Sequence, residues 1–284
     1  MPLQSFLKEM EVKEVERALI TKYRSKLYRP FIKALQEYDL IQENDVIGVC
    51  ISGGKDSLLM AKLFQELLRH SDIKFSCKFL SMNPGFNDEN LHQLQENCRL
   101  LDIPIIIKES NIFEVAYKMS KDNPCYLCAR MRRGFLYEFA RENGCNKIAV
   151  AHHLNDVIET TLLNVMYSGN YKTMVPKLKS TNFKGMELIR PMVYVLEEDI
   201  IAFTKYAGIK AMSCGCKIAR NEASSKRKVI KALIAKFKKE EFKNVEMSIY
   251  RSSQNVNLNC CLGWKQKEKK YSFLNTYDDS TEEE

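Results

Sequence analysis

The chain has 284 residues, 45% of them hydrophobic, and a formal net charge of +8. That length sustains a sizeable core, with roughly three quarters of the unfolded surface buried on folding, and no run approaches the roughly 20 apolar residues of a membrane-spanning helix. The opening "MPLQSFLKEMEVKEVERALI" lacks the basic start, apolar run and small-residue cleavage site of a secretory signal, so a cytoplasmic location without membrane association is expected.

Residues 4–37 read as helical, because Val15, Leu19, Tyr23 and Leu27 recur every fourth position, and Pro30 ends or kinks the segment. "DVIGVCI" is the first strand; a glycine-rich turn and the helix "SLLMAKLFQELLRH" follow. "FSCKFLSM" reads as a strand, "NDENLHQLQENCRLL" as a helix and "IPIIIKE" as a short strand. Next come the helix "MRRGFLYEFAREN", the strand "KIAVAHH" and the helix "NDVIETTLLNVMY". "MELIRPM" is a fifth strand or a connection, and helices cover 197–207 and 223–239. Short apolar runs alternating with helices predict an α/β fold, a parallel sheet with helices on both faces. The expected organisation is a helical segment over 1–40, an α/β domain over 41–216, a basic helical segment over 217–245 and a partly disordered tail over 246–284.

Charge is unevenly spread. Residues 217–239 hold nine Lys or Arg against one Glu, so this segment carries the whole net charge and the remainder sums to about zero. Its helix is expected to dock through Val229, Ile230, Leu233, Ile234 and Phe237. Arg227, Lys228, Lys231 and Lys238 would then form a basic face for a polyanion, or simply a solvated one.

The first chemical motif is "ISGGKDS", Ile51 to Ser57, between a strand and a helix. Gly53 and Gly54 allow a tight turn that presents backbone N–H groups. Ser52 and Ser57 add hydroxyls, Lys55 neutralises phosphate charge, and the helix N-terminus favours an anion. Asp56 would repel phosphate unless it also holds Mg²⁺. The pattern asks for a metal-complexed nucleotide, most simply ATP. It is neither the GxxxxGK[ST] loop nor the GxGxxG fingerprint.

The ten cysteines fall into groups, and a reducing compartment would keep most of them as thiols, metal ligands or redox groups. Cys50 and Cys77 lie in apolar runs and read as buried small hydrophobes, as do Cys98 and Cys145. Cys125, Cys128, Cys214 and Cys216 cluster beside turn residues. Zinc, iron–sulfur and redox sites all use CxxC, and soft thiolates suit zinc or an iron–sulfur cluster. Four thiolates would close a structural zinc site; three would leave one iron of a cubane open. Arg130, Arg132 and Arg133 follow, suited to ATP phosphates or an RNA backbone. Asp156 lies just after a strand of the parallel sheet, where ligands bind. His152 and His153 contact ligand or pack against the strand end, and Arg190 is expected as a salt-bridged structural residue.

"SGGKDS" resembles the pyrophosphate loop SGGxDS of the N-type ATP pyrophosphatases. The order "SGGKDS … PCYLCARMRRG … AHHLNDVIET … RPM … SCGC" resembles, over roughly residues 45–235, the TtcA family of tRNA 2-thiocytidine biosynthesis enzymes. The resemblance implies the PP-loop, adenine nucleotide alpha hydrolase-like fold. It implies a [4Fe-4S] cluster held by Cys125, Cys128 and Cys214, with Cys216 as an alternative or fourth ligand. Lys55, Asp56 and Asp156 become catalytic candidates. Ser52, Gly53, Gly54, Lys55, Asp56, Ser57, Met82, His152 and Arg132 become nucleotide-binding candidates, with Mg²⁺ beside them.

The implied activity is ATP-dependent sulfur transfer to C2 of a cytidine at tRNA position 32. The implied partners are tRNA, a cysteine desulfurase or other sulfur donor, and a second copy in a homodimer. Two departures stand out: Ser81, Met82 and Asn83 precede Pro84-Gly85 where the bacterial enzymes usually carry Asp-Gln, and Cys214 is followed by Gly-Cys. A related cluster enzyme acting on uridine or a small molecule, and a zinc-stabilised RNA-binding protein without catalysis, are the alternatives. Cys260 and Cys261, outside the matched region, read as surface or subunit contacts or as a sulfur relay.

Overall fold

The computed structural model describes residues 12–119, 124–212, 223–240 and 242–277; the side chains of 124–126 and 223–225 lie outside that description. Two compact units divide the chain, Met1–Leu233 and Ile234–Glu284. The boundary falls inside one helix.

The first unit begins with α1 (Val12–Ile20), a π-helical turn (Arg24–Tyr28) and α2 (Arg29–Glu37). Pro30 explains the wide turn. Its ring crowds the carbonyl four residues back and it has no N–H to donate, and the Arg29 N–H bonds to Arg24 O, five residues back. There follow β1 (Val46–Cys50), α3 (Lys55–His70), β2 (Ser76–Asn83), α4 (Asp88–Leu100), β3 (Ile105–Glu109), α5 (Ile112–Met119) and α6 (Pro124–Glu142). Then come β4 (Lys147–Ala149), α7 (Leu154–Ser168), β5 (Lys177–Lys179), β6 (Glu187–Ile189), α8 (Glu197–Tyr206) and α9 (Ala223–Glu240).

The sheet order is β3-β2-β1-β4-β6-β5. Every pairing is parallel except β5–β6. "MELIRPM" therefore contains a strand, β6. The sequence reading missed β5, a three-residue edge strand too short for a period to show, and also α5. The chain runs β1, β2, β3 outward, then returns to place β4 on the other side of β1. The C-terminal ends of β1 and β4 thus flank the switch point where such sheets bind ligands.

One core cluster packs α3 against β1 and the N-terminal helices through Leu58, Leu59, Leu63, Phe64, Ile47, Val49, Leu19 and Phe31. Phe31 and Phe64 meet edge to face at 5.4 Å; each fully buried ring contributes about 2–3 kcal/mol. Lys62 is buried within this helix because its ammonium reaches Glu16 and Leu101 O, at 2.7 and 2.9 Å. A second cluster lies under α6, formed by Leu80, Tyr137, Phe139, Ala140, Ile148 and Leu188. Helices therefore cover both sheet faces. Burial pushes the thiols of Cys50 and Cys98 up to about 12 and that of Cys145 to about 11, and raises Cys77 as well. These four stay protonated and packed.

The second unit contains α10 (Val245–Ser252) and a hairpin of β7 (Gly263–Gln266) and β8 (Lys269–Ser272), with Trp264 stacked on Tyr271 at 5.3 Å. The hairpin lies within residues 246–284. Its turn uses Lys267 at φ 54°, so no Gly or Asn marked it. Cys260 is exposed, and Cys261 Sγ donates to Asn257 O at 3.2 Å.

Candidate active site

Residues 51–57 leave β1 and enter α3. The loop holds itself open through two serines: Ser57 Oγ donates to Gly54 O at 2.9 Å and accepts the Ser52 N–H at 3.1 Å. The two hydroxyls lie 3.1 Å apart. Gly53 adopts φ +81°, and a Cβ there would stand 2.1 Å from Met212 Sδ. Only glycine suits this position. Met212 also donates its N–H to Gly53 O at 3.2 Å. The N-terminus of α3, the two hydroxyls and the loop backbone form a cradle suited to phosphate.

Lys55 sits between two carboxylates, 3.0 Å from Asp56 Oδ1 and 3.3 Å from Glu197 Oε1. Burial disfavours its charge, but Asp56 and Glu197 outweigh burial and raise its pKa. Glu197 also pairs with Lys231, and its backbone N–H donates to Asn155 Oδ1 at 2.9 Å. Burial pushes the Glu197 carboxyl up, while Lys231 and Lys55 together bring it below its ordinary range.

Across the switch point, Asp156 caps α7 by accepting the His153 N–H at 3.1 Å. His153 Nε2 lies 3.5 Å from Asp156 Oδ2 and 3.8 Å from Asp56 Oδ1, so both carboxylates flank one imidazole nitrogen. Arg227 donates to Asp156 at 3.1 Å and to Thr160 at 3.3 Å, and stands 3.6 Å from Glu159. Burial raises the Glu159 pKa against the pull of Arg227.

On α9, Arg227 and Lys231 pair with carboxylates of the sheet edge, while Lys228 and Lys231 both remain exposed. The expected apolar stripe is incomplete. Ile230 and Ile234 are buried, but Val229 and Phe237 are exposed. Sequence reasoning missed Glu197, Arg227 and Met212 as site residues. Glu197 begins "EED", which reads as ordinary helix-start acidity, and nothing local marked the other two.

Among the described residues, six buried side-chain atoms have no hydrogen-bond partner: Gln65 Oε1 in α3, Asp56 Oδ1 at the loop, and four others, Ser81 Oγ, His152 Nδ1, His153 Nδ1 and Arg190 Nε. All four lie at the C-terminal ends of strands or just beyond them. Buried polar groups are normally bonded, so this edge is built to receive polar ligand atoms. Met82 is buried at the end of β2, beside the loop. Burial pushes His152 down to about 4. Arg190 is not salt-bridged as expected: among the described residues its contact is Val175 O, at 2.5 Å.

Cys125 and Cys128 occupy positions three apart in the first turns of α6, where the helix dipole favours thiolates. Cys128 is half-buried; the Cys125 side chain, Cys214 and Cys216 lie outside the described residues. Arg132 follows on the same helix. The described chain ends its approach to Cys214 at Met212, which is fastened to Gly53.

A doubly flanked parallel sheet with this loop at its switch point defines a PP-loop nucleotide-binding protein. The family model of the PP-loop domain matches residues 23–213. A tRNA-cytidine(32) 2-sulfurtransferase from Photobacterium profundum is 34% identical over 85% of this chain and 80% of that protein. One from Alcanivorax borkumensis is 32% identical over 85% of this chain and 84% of its own length. The chain belongs to the tRNA-cytidine(32) 2-sulfurtransferase family. Among solved structures, the U34-tRNA thiolase NcsA from Methanococcus maripaludis, with its [4Fe-4S] cluster, superposes with TM-score 0.60 and 22% identity. That match covers 88% of this chain and 82% of the thiolase, and supports the fold. Among the described residues, no helix is long and apolar enough to cross a membrane.

Proposed function

We propose that this chain is an ATP-dependent tRNA sulfurtransferase that replaces the C2 oxygen of cytidine 32 with sulfur. The observation that carries the reading is the Met212–Gly53 contact: the segment leading to Cys214 departs from the phosphate loop itself. Met212 stands two positions before Cys214 in the sequence, which supports a reading in which the nucleotide loop and the cysteine motif serve one site.

Ser52 to Ser57 hold the ATP phosphates. Asp56 and Asp156 flank His153 and suit Mg²⁺, which takes one or two carboxylates when phosphates supply the rest. Phosphate oxygens compete for Lys55, which is already poised as a cation between Asp56 and Glu197. Attack of the C2 oxygen on the α-phosphorus expels pyrophosphate and leaves an adenylated base. Lys55 and the loop N–H groups stabilise the charge that develops on phosphate. A sulfur nucleophile then adds at C2 and AMP departs, a far better leaving group than the original oxygen.

The chemistry of the donor set fits an iron–sulfur cluster: two cysteines three apart at the start of α6, and a third candidate two positions beyond Met212 in the sequence. Cys125, Cys128 and Cys214 would hold it, with Cys216 as the alternative third or a fourth ligand. When bound, a [4Fe-4S] cluster with three protein ligands supplies the sulfide and a Lewis acid. A cysteine desulfurase or another donor replenishes sulfur, and the reading includes a cytoplasmic homodimer.

The test combines two measurements. Anaerobic purification followed by iron, sulfide and zinc analysis should find iron and sulfide; stoichiometric zinc with no iron overturns the cluster. Mass spectrometry of tRNA nucleosides after gene deletion should lose 2-thiocytidine; unchanged 2-thiocytidine overturns the substrate.

A further inference from the structure

The two ends of α7 differ. Its first turns are packed, with Leu154, Val157 and Ile158 buried, whereas Val165, Met166 and Tyr167 at its end are all exposed. Gly169 closes the helix in the left-handed region at φ 55°, and the chain then doubles back beside it. Asn164 O accepts the Asn170 N–H at 3.1 Å, and the Asn164 side-chain amide donates to Lys172 O at 2.9 Å. The Thr161 and Thr173 hydroxyls meet at 2.9 Å. The protruding end is thus braced. It carries two aromatic rings toward solvent, Tyr167 at 44% and Tyr171 at 48% exposure.

Its charge has one sign. Residues 160–186 contain no Asp or Glu against four Lys, of which Lys177 turns to Asp39 and Glu187 while Lys172 is exposed. Helix α9 adds a further cation: Lys226 Nζ stands 5.1 Å from the centre of the Tyr167 ring. The next residue, Arg227, donates to Asp156 and Thr160. One turn of α9 therefore touches both the ligand edge of the sheet and the aromatic end of α7. Tyr167 is 11 positions beyond Asp156 on the same helix, about 16 Å along its axis.

Exposed aromatic rings among ammonium groups, with no acidic side chain between them, suit single-stranded RNA. Unpaired bases stack on such rings, and the phosphates that join them meet the cations. A second copy of the chain suits this face less, because a twofold contact would set its lysines against their own counterparts. We propose that Tyr167 and Tyr171 form a stacking platform for nucleotides flanking the target base, with Lys226 and Lys172 at their phosphates; this rests on the tRNA reading above. Holding those neighbours lets the target base leave its stack and enter the site.

The test uses the full-length protein and labelled tRNA. Fluorescence anisotropy across a salt series gives affinity and salt slope, calorimetry gives ATP affinity, and sedimentation gives the oligomeric state. Y167L and Y171L should each weaken tRNA about five- to fiftyfold, with ATP affinity and unfolding midpoint near wild type. Y167F and Y171F keep the ring and should stay within about twofold of wild type. K226Q should lower the salt slope by about one. Wild-type tRNA affinity in the double Leu variant overturns the platform. So does a Phe variant as weak as its Leu counterpart, or a Leu variant whose unfolding midpoint drops sharply, since the rings would then be structural. A double Leu variant that is monomeric where the wild type is dimeric, and still binds tRNA, assigns the face to a second copy and overturns the RNA platform. Wild-type behaviour separates the layers: a wild type that neither binds tRNA nor forms 2-thiocytidine sinks the enzyme reading, whereas an active wild type with indifferent variants sinks the platform alone.

Discussion

Two lysine–aspartate pairs stand at opposite edges of the same sheet. At the N-terminal edge, Lys147 at the start of β4 meets Asp45 at 2.7 Å and Leu40 O at 3.0 Å, both side chains about 95% or more buried. Asp45 also accepts the Gln42 N–H and the Asn146 amide, each at 2.7 Å. Each of those charges is fully matched by protein. At the C-terminal edge, Lys55 and Asp56 keep about a quarter of their side-chain surface, Lys55 is shared with Glu197, and polar atoms nearby remain unbonded. The first pair joins strands; the second is arranged so that a ligand can enter the exchange.

The comparison breaks if the two lysines prove interchangeable. Lys147→Ala should leave Asp45 buried without its cation and destabilise the protein by about 3–5 kcal/mol, read by denaturant unfolding. Lys55→Ala should lower turnover by about 100- to 1,000-fold, read as pyrophosphate release, while the unfolding midpoint stays near wild type. A large stability loss on changing Lys55 would make the C-terminal pair structural too.

The smallest expected effect sharpens the contrast. Burial holds His152 down to about 4, against an ordinary value near 6.5 in the unfolded chain. Between those values the unfolded chain takes up a proton that the folded state refuses. Stability should therefore be fully present above about pH 6.5 and fall on acidification toward about pH 4, by up to about 3 kcal/mol. His152→Gln should flatten that slope in unfolding experiments across the range. An unchanged slope would mean that this edge does not resist protonation.

Much of the ligand edge was readable because its chemistry is contiguous. "ISGGKDS" places its glycines, hydroxyls, lysine and aspartate within seven residues, and "HHLND" brings Asp156 to a helix start. The central parallel strands were readable because strands buried on both faces are continuous apolar runs. The turn at Lys267 and the edge strand β5 were not, since neither carries a composition signal.

What the sequence determined by itself was the local alternation of strand and helix and the residues of the loop, because side-chain period and backbone freedom act over a few neighbours. The tertiary structure alone decided that Arg227 faces Asp156 and that Met212 rests on Gly53. Those partners are 71 and 159 positions apart, and only the packing of helices over a folded sheet brings such distant groups within reach.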